Sequence, residues 1–250
     1  MPDTQSLKIG VIGVGIMGSA IATRLVEQGH SVTVYDPSQE KVESIVRIGG
    51  HAGNSPRHVT ELSDYVILSL NHHDITRRAV FGEDGIAEAA TADKLLIDMS
   101  SIDPDATAEM SAELAERTGM KWSDCPLSGG APKAAIGELT IMAGGAPEDV
   151  DRAWTVMQHL AKNFTRMGSC GAGQTTKLVN QVLCGIIFQA VAEATELAQL
   201  GGVDAEAIPA ALAGGRADSA IMQEYMAKMA RHDYSPTGRL DNMLKDLEGA

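Results

Sequence analysis

A glycine-rich turn between a predicted strand and a predicted helix constrains the fold of this chain more than any other feature. The predicted buried strand at residues 7–13 leads into Gly13-Val-Gly15-Ile-Met-Gly18, and a helical pattern follows from Ile16. In this context the first glycine permits a tight turn, the second lets the backbone approach a pyrophosphate, and the third lets helix and strand pack closely. The helix N-terminus offers free N–H groups to the phosphates. We therefore predict that a dinucleotide binds at Gly13, Gly15, Ile16, Met17 and Gly18.

An acidic residue after the second predicted strand indicates which dinucleotide binds. The strand at residues 31–36 ends at Asp36, about twenty residues beyond the glycine turn. A carboxylate there accepts hydrogen bonds from the adenosine ribose and repels a 2′-phosphate, and no arginine follows it closely. The sequence therefore predicts NAD as the cofactor, with NADP as the alternative.

The first part of the chain alternates strands and helices. Its strands are continuously apolar, which is typical of a parallel sheet covered on both faces, and the predicted fold is a Rossmann-type, doubly wound α/β domain. Asp103 is a predicted N-cap, and Pro147 occupies the first turn of a later helix. The further predicted strands are 65–70, 94–99, 122–126, 139–143 and 164–167, and the further helices are 38–48, 104–117 and 147–161.

The pattern changes near Gly168, where an all-helical part begins. One long, mostly apolar helix runs from Gln174 to about residue 200, and it is too apolar for a surface helix, so we expect helices of the same chain or of a partner subunit to cover it. We predict a NAD-binding domain at 1–170 and a helical substrate and dimerisation domain at 171–250. Residues 241–248 resemble the opening turns of another helix, so we expect either further residues after Ala250 or cover from a neighbouring chain.

The composition excludes several classes of partner. Among 250 residues, 33 Asp and Glu against 20 Lys and Arg give a net charge of −13, which argues against nucleic acid or an anionic membrane. We find no apolar run of the roughly 18 residues that a membrane span needs, and the polar start does not resemble a signal peptide. Three cysteines without metal spacing indicate a reducing, cytoplasmic setting. His72 and His73 lack an accompanying ligand set, so no metal is predicted.

A single lysine stands near the start of the long apolar helix. Lys177 and Asn180 are three positions apart, which places them on one helical face. Burying an ammonium is costly, so a lysine here is a poor structural choice but a useful group for proton transfer in a cleft. An ordinary lysine is a weak base at neutral pH, and desolvation would favour its neutral form.

Three further segments are candidates for ligand contacts. Leu70-Asn71 and Ser100-Ser101 end two predicted strands, and ligands of open α/β sheets bind beyond the carboxyl ends of strands. Ser128-Gly129-Gly130 follows a strand and exposes a hydroxyl beside backbone N–H groups, an arrangement that suits a carboxylate. An ordinary loop is the alternative interpretation of each segment.

Taken together, these motifs resemble the β-hydroxyacid dehydrogenase family, which contains 3-hydroxyisobutyrate dehydrogenase and tartronate semialdehyde reductase. The resemblance covers the entire chain, and five motifs occur in the family's order. They are the Gly13 turn, residues 96–101, residues 124–130, residues 171–180 and residues 244–247. One departure is Ser69-Leu70, where the family usually has Leu-Pro.

The resemblance implies roles for individual residues. Lys177 matches the catalytic lysine and Asn180 the neighbour that holds substrate, while Ser101 and Lys245 match positions that reach cofactor or substrate. Ser128, Gly129 and Gly130 match the loop that binds the substrate carboxylate. The family forms dimers or tetramers through its helical domain, and its members continue for some tens of residues past the point that matches Ala250. The fold is therefore expected to be incomplete at its C-terminus.

The predicted reaction is reversible hydride transfer between NAD and a small, anionic 3-hydroxy acid or the matching semialdehyde, with Lys177 as general acid and base. The alternatives are an NADP-linked semialdehyde or imine reductase, an oxidative decarboxylase of the 6-phosphogluconate type, and a catalytically silent NAD-binding regulatory protein. Glycerate, 3-hydroxyisobutyrate, threonate-like acids and 4-hydroxybutyrate all remain open as substrates.

Overall fold

The computed structural model describes residues 6–235, 243, 244 and 247. Contacts between residues divide the chain into two compact units, Met1–Lys177 and Leu178–Ala250. The helix predicted to open at residue 241 lies mostly outside the described residues, and so does Lys245.

Nine strands, counted over the described residues, form the single sheet of the first unit. The bounds of the strands are β1 Lys8–Ile12, β2 Ser31–Tyr35, β3 His51–Ala52, β4 Tyr65–Leu68, β5 Leu95–Asp98, β6 Lys121–Asp124, β7 Leu127–Ser128, β8 Leu139–Gly144 and β9 Ala161–Gly168.

The sheet is mostly parallel, as the sequence predicts. Strands lie in the order β3-β2-β1-β4-β5-β6, and all of these pairs are parallel. The sheet then continues to β8, which is antiparallel to β6 and to β7 and parallel to β9. The carboxyl ends of the six parallel strands consequently meet at one edge, where a doubly wound sheet binds its ligands.

Both faces of the sheet are buried, which explains the continuous apolar strands. Successive residues of β4 and β5 join opposite cores, because side chains alternate along a strand. Ile67 and Ile97 pack in one core, and Leu68 and Leu96 pack in the other. All four are fully buried, and burying a side chain of this size contributes roughly 1.5–3 kcal/mol.

Helices cover both faces of the sheet and form the second unit, and a short 3-10 helix, Ile86–Glu88, precedes β5. The bounds of the α-helices are α1 Ile16–Glu27, α2 Gln39–Val46, α3 Pro56–Glu61, α4 His73–Phe81, α5 Pro104–Thr118, α6 Gly130–Ile136, α7 Pro147–Met157, α8 Ala172–Leu200, α9 Ile208–Leu212 and α10 Ala220–Ala230.

One predicted helix start is confirmed by the structure, and one predicted helix end is wrong. Asp103 caps α5 as predicted, since its carboxylate accepts the N–H of Ala106 at 2.7 Å. The predicted extension of α7 to Ala161 is wrong, because the helix ends at Met157 and Ala161 already pairs with Leu139 in the sheet. Pairing between distant strands therefore overrides the local helical pattern there.

Helix α8 is long, apolar and largely exposed over the described residues. Its apolar 18-residue window has a mean hydropathy of 1.4, and only 11% of that window is buried. By length and composition alone it could cross a membrane, so the expectation that no segment meets those criteria is wrong. Core helices of globular proteins meet the same criteria. The exposed apolar side chains of this helix are Val179, Val182, Leu183, Ile186, Leu197 and Leu200.

The second unit has a small core of its own. Val191 of α8 packs with Met222 and Met226 of α10. Ser219 caps α10, because its hydroxyl accepts the N–H of Met222 at 3.1 Å. The α/β domain followed by helices is the predicted fold class, and it is confirmed.

Two histidines at the amino end of the sheet have lowered pKa values, and from these we predict how the free energy of unfolding depends on pH. The rings of His30 and His159 meet edge to face, 4.4 Å between centroids. Burial, and then the neighbouring His159, lower the pKa of His30 below its usual range. Burial, and then the charge of Arg24, lower the pKa of His159.

We expect this pair to destabilise the fold on acidification. Because the folded pKa values lie below the ordinary value of 6.5, the unfolded chain binds protons first, and stability falls as pH drops through 6.5 towards the folded values. Urea unfolding over this range should show a shallower fall for His30→Gln, by at most about 1.4 kcal/mol per pH unit for one proton. Equal pH dependence in parent and variant would contradict this assignment.

Candidate active site

The turn after β1 is built from glycines that leave no room for side chains. Gly13 has φ +95°, a left-handed conformation that favours glycine, and a Cβ there would overlap the carbonyl oxygen of Ser69. A Cβ on Gly18 would overlap the carbonyl oxygen of Gly13. The turn, the start of α1 and the end of β4 therefore pack at backbone distance.

The middle glycine instead faces open space. A Cβ on Gly15 would meet no atom within 4 Å, and Gly15 is the N-cap of α1 without a side-chain hydrogen bond. The first turn of α1 contains no acidic residue, and Ile16 is 76% exposed. The positive end of a helix dipole and free N–H groups thus face an unobstructed space, so the residues present fit the pyrophosphate of a dinucleotide.

Asp36 is bound to this turn. Its Oδ2 accepts the N–H of Val14 and its Oδ1 the N–H of Ser38, each at 2.9 Å. Lys41 Nζ lies 3.3 Å from Oδ1, and the carboxylate is only 10% exposed. The acidic group is therefore fixed beside the glycine turn, where a ribose hydroxyl can donate to its remaining lone pairs.

The ends of β4 and β5 are joined by a serine hydroxyl. The N–H of Leu70 donates to Ser100 Oγ at 3.0 Å, and the N–H of Ser69 donates to the carbonyl of Ile12 at 3.0 Å. Asn71 follows and is exposed, while Ser101 is half-buried. The structure thus brings Leu70 and Ser101 to the same sheet edge as Gly13.

A buried carboxyl group at the end of β5 is hydrogen-bonded to the loop that contains Ser100. Asp98 Oδ1 accepts the N–H of Ser100 at 3.0 Å, and Oδ2 has no hydrogen-bond partner among the described residues. Burial raises the pKa of Asp98 to about 6, against the opposing effect of the bonds from Ser100, and Asp124 raises it further.

A second buried carboxylate holds the beginning of α8. Asp124, the last residue of β6, accepts the N–H of Gly171 at 2.8 Å and that of Gln174 at 2.9 Å. A Cβ on Gly144 or Gly173 would press against its oxygens, so these glycines make room for it. Burial raises the pKa of Asp124, and the two N–H groups oppose that rise. The anion therefore caps the positive end of α8.

Gln174 connects α8 to the loop after β5. It is 1% exposed; its Nε2 donates to the carbonyl of Ser100 at 3.0 Å, and its Oε1 accepts the N–H of Ile102 at 3.3 Å. Lys177 follows one turn later and is half-buried. Hydrogen bonds thus link the end of β1 to the loop after β4, that loop to Ser100, and Ser100 to Gln174 on the helix that bears Lys177.

Asn180 follows Lys177 on α8 at helical spacing. Its Nδ2 donates to Gln181 Oε1 at 2.9 Å, and Gln181 is 9% exposed. Gln181 is four positions after Lys177, so both amides lie on the lysine's side of the helix.

The Ser128 segment lies on β7 and at the start of α6. Ser128 pairs with Thr140 of β8, and Gly129 and Gly130 are exposed with φ +122° and +67°. Two exposed glycines in succession are compatible with the predicted carboxylate loop, which stays a prediction.

A cluster of histidines and two cysteines are poorly suited to metal binding and to nucleophilic catalysis, respectively. Ligand atoms of His72, His73 and Asp74 lie within 4.8 Å of one another, but all three residues are exposed, and His72 Nδ1 accepts the N–H of Asp74 as the N-cap of α4. A cation would also meet the positive end of that helix, and the absence of a metal stays a prediction. Burial raises the pKa of Cys170 to about 12 and that of Cys125 well above its usual range, so both remain thiols.

Sequence reasoning assigned no role to three residues of this edge. Asp98 ends the apolar strand β5, and a carboxyl group at the end of such a strand was the available signal, whereas Asp124 ends the strand Lys-Trp-Ser-Asp, which gives no comparable signal. Gln174 precedes Lys177 by three positions on an apolar helix, which was a weaker signal.

Family models match both parts of the chain. Residues 8–168 match the NAD binding domain of 6-phosphogluconate dehydrogenase. Residues 171–250 match the NAD-binding domain of NADP-dependent 3-hydroxyisobutyrate dehydrogenase. Together the two matches include all the described residues of the sheet edge.

Individual proteins align over nearly the whole chain. A probable mitochondrial 3-hydroxyisobutyrate dehydrogenase-like protein of Arabidopsis thaliana is 34% identical over 98% of this chain and 76% of its own length. The 2-hydroxy-3-oxopropionate reductase of Escherichia coli is 34% identical over 96% of this chain and 82% of its own. The structure of Mycobacterium tuberculosis 3-hydroxyisobutyrate dehydrogenase with L-serine has a TM-score of 0.86 at 28% identity, covering 98% of this chain and 85% of that one.

Proposed function

The chain belongs to the β-hydroxyacid dehydrogenase family and is an NAD(P)-dependent hydroxyacid dehydrogenase, and we propose that it transfers a hydride reversibly between NAD and a small 3-hydroxy acid or its semialdehyde, with Lys177 as general acid and base. The single observation that supports this proposal most is the hydrogen-bonded sheet edge. It joins the end of β1, just before the dinucleotide turn, to the loop after β4, and through Ser100 and Gln174 to the helix of Lys177.

The bound dinucleotide supplies the hydride chemistry, and the chain positions groups and moves a proton. In oxidation Lys177 takes the proton of the substrate hydroxyl, and in reduction it returns a proton to the oxygen that forms. Asn180 and the Ser128-Gly129-Gly130 segment hold the substrate, with the backbone N–H groups of that segment directed at the carboxylate.

The remaining predicted residues bind the cofactor in this proposal. Gly13, Gly15 and Gly18, with Ile16 and Met17, accommodate the pyrophosphate. Leu70, Asn71 and Ser101 line the carboxyl edge, and Lys245 keeps the role that the resemblance implies, although it lies outside the described residues.

We propose NAD rather than NADP because of Asp36. Its negative charge lies beside the glycine turn, where it would repel a 2′-phosphate. Lys41 is close to the same carboxylate but 49% exposed, so it offsets only part of that repulsion.

The substrate class follows from chemistry that the relatives' names share. 3-Hydroxyisobutyrate, L-serine and the alcohol form of 2-hydroxy-3-oxopropionate all have a three-carbon propanoate backbone, with a hydroxyl on C3 and a methyl, amino or hydroxyl group on C2. We propose a 3-hydroxypropanoate with a small C2 substituent, oxidised at C3.

A substrate panel tests this proposal. The protein would be assayed with NAD and with NADP against glycerate, 3-hydroxyisobutyrate, serine, threonate and 4-hydroxybutyrate, by the appearance of reduced nicotinamide. We expect the largest kcat/KM with NAD and one of the first three acids. Turnover of imines but not of these acids, release of carbon dioxide, or binding of NAD without any turnover would contradict the proposed reaction.

We also propose a homodimer or homotetramer in the cytoplasm. The exposed apolar side chains of α8 would be covered by a second copy, since several large apolar side chains exposed along one helix are typical of an interface. Light scattering after gel filtration would measure the mass, and a monomer at micromolar concentration would contradict the assembly.

A further inference from the structure

Gln174 has no part in the proposed proton or hydride transfer, yet it is hydrogen-bonded to three different residues distant in the chain. Three of its groups are bound: the backbone N–H to Asp124, the side-chain NH₂ to the carbonyl of Ser100, and the side-chain oxygen to the N–H of Ile102. An amide that both donates and accepts is the group that can satisfy a carbonyl and an N–H on the same loop.

The two loop contacts of Gln174 lie on either side of Ser101. Ser100 is itself fixed on two further sides, since its N–H donates to Asp98 and its hydroxyl accepts from Leu70. Gln174 therefore attaches the loop after β5 to the first turn of α8, and the bond from Leu70 to Ser100 connects the loop after β4 to the same point.

Lys177 is three positions after Gln174, so the two side chains lie on the same side of α8. Proton transfer requires heavy atoms within about 3 Å, and a misplacement of about 1 Å costs on the order of 10²-fold in rate. A tie between the cofactor-side loop and the helix of the lysine would set that distance.

We propose that Gln174 is a positioning residue for hydride and proton transfer, which holds the Ser100–Ile102 loop and the first turns of α8 in the register that Lys177 needs. This inference rests on the proposed function of Lys177. Gln174 touches neither substrate nor cofactor in this proposal and acts only through the loop and the helix.

The main test replaces Gln174 by methionine, which keeps the length and removes both side-chain hydrogen bonds. We expect kcat to fall by about 10–100-fold, while KM and the dissociation constant of NAD stay within about threefold. Thr60→Val is the matched control, because Thr60 is fully buried on α3 and loses one hydrogen bond, from its hydroxyl to the carbonyl of Pro56. It should lower stability without changing kcat.

A conservative variant separates positioning from simple stability. In Gln174→Glu, a protonated carboxyl group can still donate to Ser100 and accept from Ile102, whereas the ionised group cannot donate. Its kcat relative to the parent should therefore decrease as pH rises. A constant ratio at all pH values would overturn the inference.

Amide hydrogen exchange gives a readout that does not require turnover. Gln174→Met should speed exchange at residues 100–103 and 171–177 by about tenfold or more, and Thr60→Val should not. Unchanged exchange, or faster exchange with an unchanged kcat, would overturn the inference. If the parent turns over none of the acids, the proposed function fails, and the exchange rates alone decide whether Gln174 ties the loop to α8.

Discussion

Lys177→Ala is expected to lower kcat by about 10²–10⁴-fold, the usual cost of removing a positioned proton-transfer group. The dinucleotide turn and Asp36 are distant in sequence from α8 and make their own hydrogen bonds, so the affinity for NAD should change by less than about threefold. Steady-state kinetics on the best acid of the panel, together with a fluorescence titration of NADH, would measure both quantities.

Two controls separate the amine's chemistry from its charge. Lys177→Arg keeps a cation that does not deprotonate in proteins, so it should lose nearly as much kcat as the alanine variant. Lys121→Ala removes an exposed lysine at the amino end of β6 and should leave kcat unchanged. A small primary amine added to Lys177→Ala should restore part of the rate. Near-parental turnover by Lys177→Ala would show that another group transfers the proton.

The part of the fold that follows from local patterns was predictable. Continuous apolar runs at β4 and β5 predicted a sheet buried on both faces, and Asp103 predicted the start of α5. Each of these features depends on residues a few positions apart, for which periodicity and capping are direct signals.

Other features depend on residues far apart in the chain and were not predictable. The early end of α7 follows from pairing between Ala161 and Leu139, and the direction of β8 follows from its pairing with β6 and β7. The exposed surface of α8 could not be read from its apolar sequence, because a buried helix and an interface helix have the same composition.

The candidate site also has one part that could be predicted from local sequence and one part that could not. The glycine turn and Asp36 lie within a βαβ pattern, so their mutual position follows from the motif, and the hydrogen bond from Val14 agrees with it. The attachment of α8 joins Asp124 to Gln174 and Ser100 to Gln174, across 50 and 74 residues. Nothing in the local sequence of Asp124 indicates that its carboxylate caps a helix so far along the chain.

The second large effect is expected at Gly18. A methyl group there would overlap the carbonyl oxygen of Gly13, and backbone cannot rotate away as a flexible side chain can. Helix α1 would have to move from β1, so Gly18→Ala should destabilise the protein by about 1–3 kcal/mol or more and weaken NAD binding at the same time. Urea unfolding would measure the first change and calorimetric titration the second.

Gly15→Ala is the matched variant, because it adds the same methyl group to the same turn where the structure has space. No atom lies within 4 Å of the added Cβ, and φ −72° suits alanine, so stability should stay the same or rise slightly. If the pyrophosphate passes over this backbone, the methyl group occupies its path, and the affinity for NAD should fall by about tenfold or more. Loss of binding without loss of stability distinguishes a glycine that a ligand requires from one that the fold requires. An unchanged affinity for NAD in Gly15→Ala would mean that the dinucleotide does not cross the turn at this residue. The proposed position of the cofactor along the carboxyl ends of the strands would then be wrong.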